Sequence, residues 1–105
     1  MITVKYDDTK VSDDAVVVLS HAIQKIVIDS TGIPEVFVYA DSPKIKIAVA
    51  PIEIFVEMSA TKIAHKDRLF QQIKMELSQW KKETAFQHPI TITLIPMDWI
   101  FEVNI

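Results

Sequence analysis

The chain predicts a two-layer α/β sandwich, an α+β domain built from β-α-β laid down twice, with a four-stranded mixed sheet and both helices on one face. Three observations carry this. Ile2 to Tyr6 and Ile52 to Met58 alternate apolar and polar side chains with the two-residue period of a half-buried strand. Each is followed by a stretch whose apolar residues recur every three or four positions, the period of an amphipathic helix. Each helix then gives way to a proline, Pro34 or Pro89, that opens a β-branched segment. Two such units, each a right-handed parallel crossover, join into one sheet.

Ile2-Thr3-Val4-Lys5-Tyr6 is the first strand, ended by the polar turn Asp7-Asp8-Thr9-Lys10. Ser12 is placed to cap a helix, with Asp13 and Asp14 where negative charge complements the helix dipole. Val16, Leu19, Ile23, Ile26 and Val27 form its buried stripe. Gly32, the one glycine of the chain, stands where a left-handed cap is needed, so the helix ends near Asp29 or Ser30.

Pro34 to Ala40 reads as the second strand and Lys44 to Val49 as a short edge strand whose lysines discourage edge-to-edge pairing. Pro51 then opens the central strand, a position where no ladder donor is required. A second helix spans about His65 to Lys82, with Leu69, Phe70, Ile73, Leu77 and Trp80 on its apolar face. Ile90 to Ile95 is the last core strand, stopped by Pro96. The tail, with Trp99, Phe101, Val103 and Ile105 on one side, is too apolar to dangle; it predicts a short C-terminal strand paired within the chain or with a neighbouring subunit.

The composition narrows the function. At 105 residues with half of them hydrophobic, the chain is expected to be one domain, 1–105, with one core. Its positive mean hydropathy, without an apolar run long enough to span a bilayer, points to extra buried surface at a subunit interface rather than to a membrane. There is no cysteine, hence no disulfide, thiolate nucleophile or thiolate metal site. The net charge of −3, with Lys and Arg spread among Asp and Glu, offers no footprint for nucleic acid. The first residues lack a basic leader and apolar core, which makes the cytoplasm the expected location.

Two architectures share the order β-α-β-β-α-β, and order alone does not separate them. Thr31-Gly32-Ile33-Pro34 after the first helix, Pro51 before the third strand and Ser59-Ala60-Thr61-Lys62-Ile63 after it resemble the tautomerase superfamily, in particular its macrophage migration inhibitory factor-like and small bacterial members. The resemblance runs from Met1 to about Trp99. It implies a homotrimer whose three sheets form a central barrel, with a small pocket at each subunit boundary and no cofactor. It also implies a general base, the secondary amine of an amino-terminal proline, that acts on α-keto acids near neutral pH because burial lowers its pKa.

On that resemblance the proline position falls on Ile2, which also blocks removal of the methionine and leaves the primary amine of Met1. The family's lysine after Thr-Gly corresponds to Ile33, and the tyrosine of the last core strand to Thr91. The amides near Ser59 and Ala60 match those that donate to substrate oxygens in the family. Lys62 matches a family lysine near the same turn, and Trp99 completes the candidate pocket. The implied protein is a tautomerase-like trimer with a degenerate site that binds a small anionic or carbonyl ligand. A weak isomerase working through the Met1 amine is the alternative. A ferredoxin-like regulatory or interaction domain is the third reading, and it requires a hairpin between strands two and three.

Other constellations point to structure. His21, His65 and His88 lack metal-ligand spacing. Glu53, Glu57 and Glu102 form a carboxylate cluster only if the tail pairs beside the third strand. Tyr39, Phe55, Trp99 and Phe101 are expected to fill core or interface, because aromatic rings on strands of small oligomers usually do.

Overall fold

The structure is a computed structural model that describes every residue except Trp99 and Phe101, with Lys62 described in its backbone only. Its elements run β1 (Ile2–Tyr6), α1 (Asp13–Thr31), β2 (Val38–Asp41), β3 (Ile52–Ser59), a 3-10 turn (Ala60–Lys62), α2 (Lys66–Thr84) and β4 (Thr91–Met97). The sheet order is β2-β1-β3-β4. β1 and β2 are parallel, β3 and β4 are parallel, and the two halves meet where β1 runs antiparallel to β3. β2 and β3 are not neighbours, so the hairpin that a ferredoxin-like domain requires is not formed.

The strand alternation sorts side chains to the two faces. Ile2 and Val4 of β1 and Ile52, Ile54, Val56 and Met58 of β3 are buried in one cluster with Val16, Leu19, Ile23 and Val27 of α1 and Ile73 and Leu77 of α2. Both helices therefore cover the same face. The opposite face carries Thr3, Lys5, Glu53, Phe55 and Glu57, with Thr91 and Thr93 across the β4 register. This is why β3 reads as central from sequence: a strand between two neighbours with one covered face shows a clean period of two.

The helix ends follow local chemistry. The Ser12 side chain accepts from the Ala15 amide at 3.2 Å, and α1 continues to Thr31, just past its expected end at Asp29 or Ser30. Gly32 closes it at φ 72°, its amide donating to the Ile28 carbonyl at 2.8 Å. α2 closes on Ala85 at φ 56°, a left-handed position held by a non-glycine residue. Its amide and that of Phe86 turn back to the Lys82 and Lys81 carbonyls, satisfying groups the helix end would leave open.

Three segments depart from expectation. β2 begins at Val38, not Pro34. The Val36 carbonyl is taken by Gln24 Nε2 at 2.9 Å, and the ladder to β1 starts where the Ile2 amide meets the Phe37 carbonyl at 2.8 Å. Lys44 to Val49 is a bent connection rather than a strand, because it crosses the end of β1 on its way from β2 to β3 and meets no free edge. β4 runs through Pro96 to Met97; it is an edge strand, where a missing amide donor costs no ladder bond. The expected C-terminal strand is not formed by the described residues of the tail, and Ile100 and Ile105 stand fully exposed.

Candidate functional site

The pairing brings four chain segments to one end of the sheet. β1 begins there, β3 and β4 end there, and the Gly32 loop enters there on its way from α1 to β2. Met1 is fixed between its neighbours by backbone bonds alone. Its amine donates to the Glu57 carbonyl at 2.7 Å, and the Glu57 amide donates to the Met1 carbonyl at 2.8 Å. Burial of the amine lowers its pKa below the ordinary 8.0, against a smaller opposing pull from the Glu57 carboxylate. Lowering the pKa favours the unprotonated amine, the form that can accept a proton.

Ile2 differs from Met1 in direction. Its side chain is 0% exposed and lies in the core beneath the helices. Ile33 is half-buried against the same core, and its amide donates to Thr31 Oγ1 at 3.2 Å, so the loop presents no charge there. Ser59 ends β3 and precedes the 3-10 turn, and its hydroxyl bonds to Thr61 Oγ1 at 2.8 Å rather than capping the turn. Ala60 starts that turn. The Lys62 side chain and Trp99 lie outside what the structure describes.

Thr91 is separated from the others. It pairs with Glu53, which pairs with Lys5, at the far end of the sheet from Glu57 and Met1. Four residues of strand put it about 13 Å away along β3. Within one chain, then, Met1, Ile33, Ser59 and Ala60 share an end and Thr91 does not. Glu53 and Glu57 share the open face but sit at opposite ends of it, and Glu102 is exposed on the tail. Among the described residues, His, Asp and Glu gather into no group of three or more able to hold a metal.

Sequence reasoning missed Thr61 and Asp98. With Ser59 and Ile100 they line a groove of about 500 Å³ beyond the ends of β3 and β4. The β3–β4 register, with Ser59 opposite Met97, is what places Asp98 beside the hydroxyls. Once β4 is taken through Pro96, the parallel match of Ile54 with Ile92 leads to that pairing.

No protein-family model and no curated protein matches the chain by sequence. Solved structures do match by shape. Malonate semialdehyde decarboxylase is 11% identical, covers 99% of this chain and 92% of its own, and superposes with a TM-score of 0.71. A fused 4-OT wild-type symmetric trimer is 16% identical, with 98% and 91% covered and a TM-score of 0.60. RhCC from Rhodococcus jostii RHA1 is 20% identical, with 99% and 83% covered and a TM-score of 0.60.

The fold is that of the tautomerase superfamily. Identities this low speak for shape and leave chemistry to the residues of this chain. The work on malonate semialdehyde decarboxylase concerns decarboxylase and hydratase activities and includes a variant in which a first-position proline is alanine. In the present tautomerase fold the residue at the head of β1 is Met1, and the one after it is a core isoleucine.

Proposed function

We propose that this chain, a single tautomerase-like domain, self-associates as a trimer in the cytoplasm and has lost proline-based catalysis, holding a small carbonyl-bearing or anionic ligand at the Met1 end of the sheet. The observation that carries this is the burial of Ile2. With Ile2 locked in the core behind it, the head of β1 offers only the primary amine of Met1 and no secondary amine. Ile33 brings no positive charge to the neighbouring loop. What supports ligand binding is the pair of hydroxyls of Ser59 and Thr61 beside the backbone of a strand end.

Purified protein incubated with phenylpyruvate tests the reading. Saturable binding by calorimetry without enolisation above the buffer rate is the expected result. Enolisation that disappears when the terminal amine is acetylated would overturn it and establish the second reading, a weak isomerase. One observation favours that alternative: the Met1 amine is held at 2.7 Å from the Glu57 carbonyl with its pKa depressed by burial. There the base removes a proton from the carbon beside the carbonyl, nearby amides take up charge on the enolate oxygen, and the ammonium returns the proton at oxygen. No cofactor is required by either reading. The rate in the second reading rises with pH through a value below 8.0 and then levels off.

A further inference from the structure

The groove beyond the ends of β3 and β4 offers a set of polar groups that discriminates between ligands. Ser59 Oγ and Thr61 Oγ1 lie 2.8 Å apart, and either atom can donate to the other. That bond uses one hydroxyl hydrogen and leaves the second to meet a carbonyl oxygen entering the groove. Asp98 lines the same groove together with Ile100. Met97 is the β4 partner of Ser59, so Asp98 stands one residue beyond it on a strand about 4.8 Å away. A carboxylate in that place accepts hydrogen bonds and donates none.

The charges of this end decide what fits. No described side chain lining the groove is cationic. The Met1 amine stands at the same end of the sheet, but burial disfavours its charged form and the Glu57 carboxylate already pulls on it. Ile33, on the loop that enters this end, brings no charge. An anionic ligand in the groove therefore meets the Asp98 carboxylate with nothing among the described lining side chains to offset it. An uncharged ligand of the same shape escapes that repulsion. One with an N–H or O–H beside its carbonyl also gains a charge-assisted hydrogen bond.

We propose that Asp98 sets the ligand class of this groove: uncharged carbonyl compounds with an amide or hydroxyl donor next to the carbonyl, in preference to α-keto acids. The inference rests on the ligand-binding reading above and divides its two ligand classes. The carbonyl oxygen accepts from the Ser59 and Thr61 hydroxyl pair, and the neighbouring N–H or O–H donates to Asp98. Ile100, fully exposed in the free protein, is covered by the apolar part of the ligand.

Phenylpyruvate and its carboxamide have nearly the same shape and differ in charge, so calorimetry with the two probes tests this. At neutral pH and low salt the carboxamide is expected to bind the wild type about fourfold tighter or more, the repulsion of two unit charges about 5 Å apart in water. In Asp98→Asn the keto acid gains and the two affinities converge. A second readout needs no variant: the screening length falls from about 30 Å at 0.01 M salt to about 3 Å at 1 M, so the wild-type preference narrows at high salt. Thr61→Val, at an exposed position, weakens both probes and places them in this groove. Four results overturn the role of Asp98 and leave ligand binding standing: a keto acid that binds the wild type as tightly as the carboxamide, a preference that persists in Asp98→Asn, one that high salt leaves untouched, or probes indifferent to Thr61→Val. Binding of neither probe overturns both.

Discussion

At the scale of single residues, backbone conformation makes the sharpest expectations. Ala85 holds a left-handed conformation at φ 56°, which costs an L-residue with a side chain about 1 kcal/mol. Ala85→Gly should therefore raise stability by about 0.5–1 kcal/mol in urea unfolding, less what glycine adds to the freedom of the unfolded chain. Gly32→Ala runs the other way. A Cβ there meets nothing within 4 Å, so the expected loss of about 1 kcal/mol is conformational strain and not a clash.

Asp7 gives a pH signature. Its Oδ1 accepts from the Thr9 hydroxyl at 2.6 Å and the Thr9 amide at 3.0 Å, which holds the carboxyl below its ordinary 3.8. A depressed carboxyl pKa means that the folded state binds fewer protons than the unfolded one. The stabilisation is therefore complete above 3.8 and is lost as pH falls below it. The difference in unfolding midpoint between wild type and Asp7→Ala should shrink across that acid range and hold steady above pH 5 or so.

At the scale of elements, β3 is the member whose loss the sheet tolerates least, since it alone joins the two halves through β1. Ile54 is 0% exposed at its centre. Ile54→Ala should cost about 2–5 kcal/mol in denaturant unfolding, the usual range for deleting a buried branched side chain. Tyr6 ties β1 to α1 through a 2.6 Å bond from its hydroxyl to Asp13, which pushes the phenol up to about 12. Tyr6→Phe should remove the phenol that titrates at about 12 from the ultraviolet absorbance curve while leaving the helix content unchanged.

The legibility of the elements followed their surroundings. β1, β3 and both helices have one covered side, and their periods of two and 3.6 were plain in Ile2–Tyr6, Ile52–Ser59, Val16–Val27 and Leu69–Trp80. The edges were not. Val36 is buried and apolar like a strand residue, yet its carbonyl belongs to Gln24. Lys44 to Val49 has the alternation of a strand without a neighbour to pair with in its own chain. Pattern records which side chains seek cover, and pairing depends on what lies alongside.

At the scale of the whole molecule, the candidate site was legible in part because strand direction gathers it. Met1, Ile33, Ser59 and Ala60 came together since β1 and β3 are antiparallel and each half is parallel within itself. Thr91 did not join them, because a parallel β4 starts at the end where β1 finishes. Asp98 was missed for the same reason in reverse: its position depends on how far β4 runs past Pro96.

The backbone clamp on Met1 has a practical consequence for anyone who handles this protein. A purification tag fused ahead of Met1 replaces the amine by an amide that can still donate to the Glu57 carbonyl, so the ladder closes as before. Such a preparation would melt, sediment and diffract like the untagged protein while its proton-accepting nitrogen had been erased. Assays of turnover belong on material whose handle sits elsewhere or has been cut away cleanly.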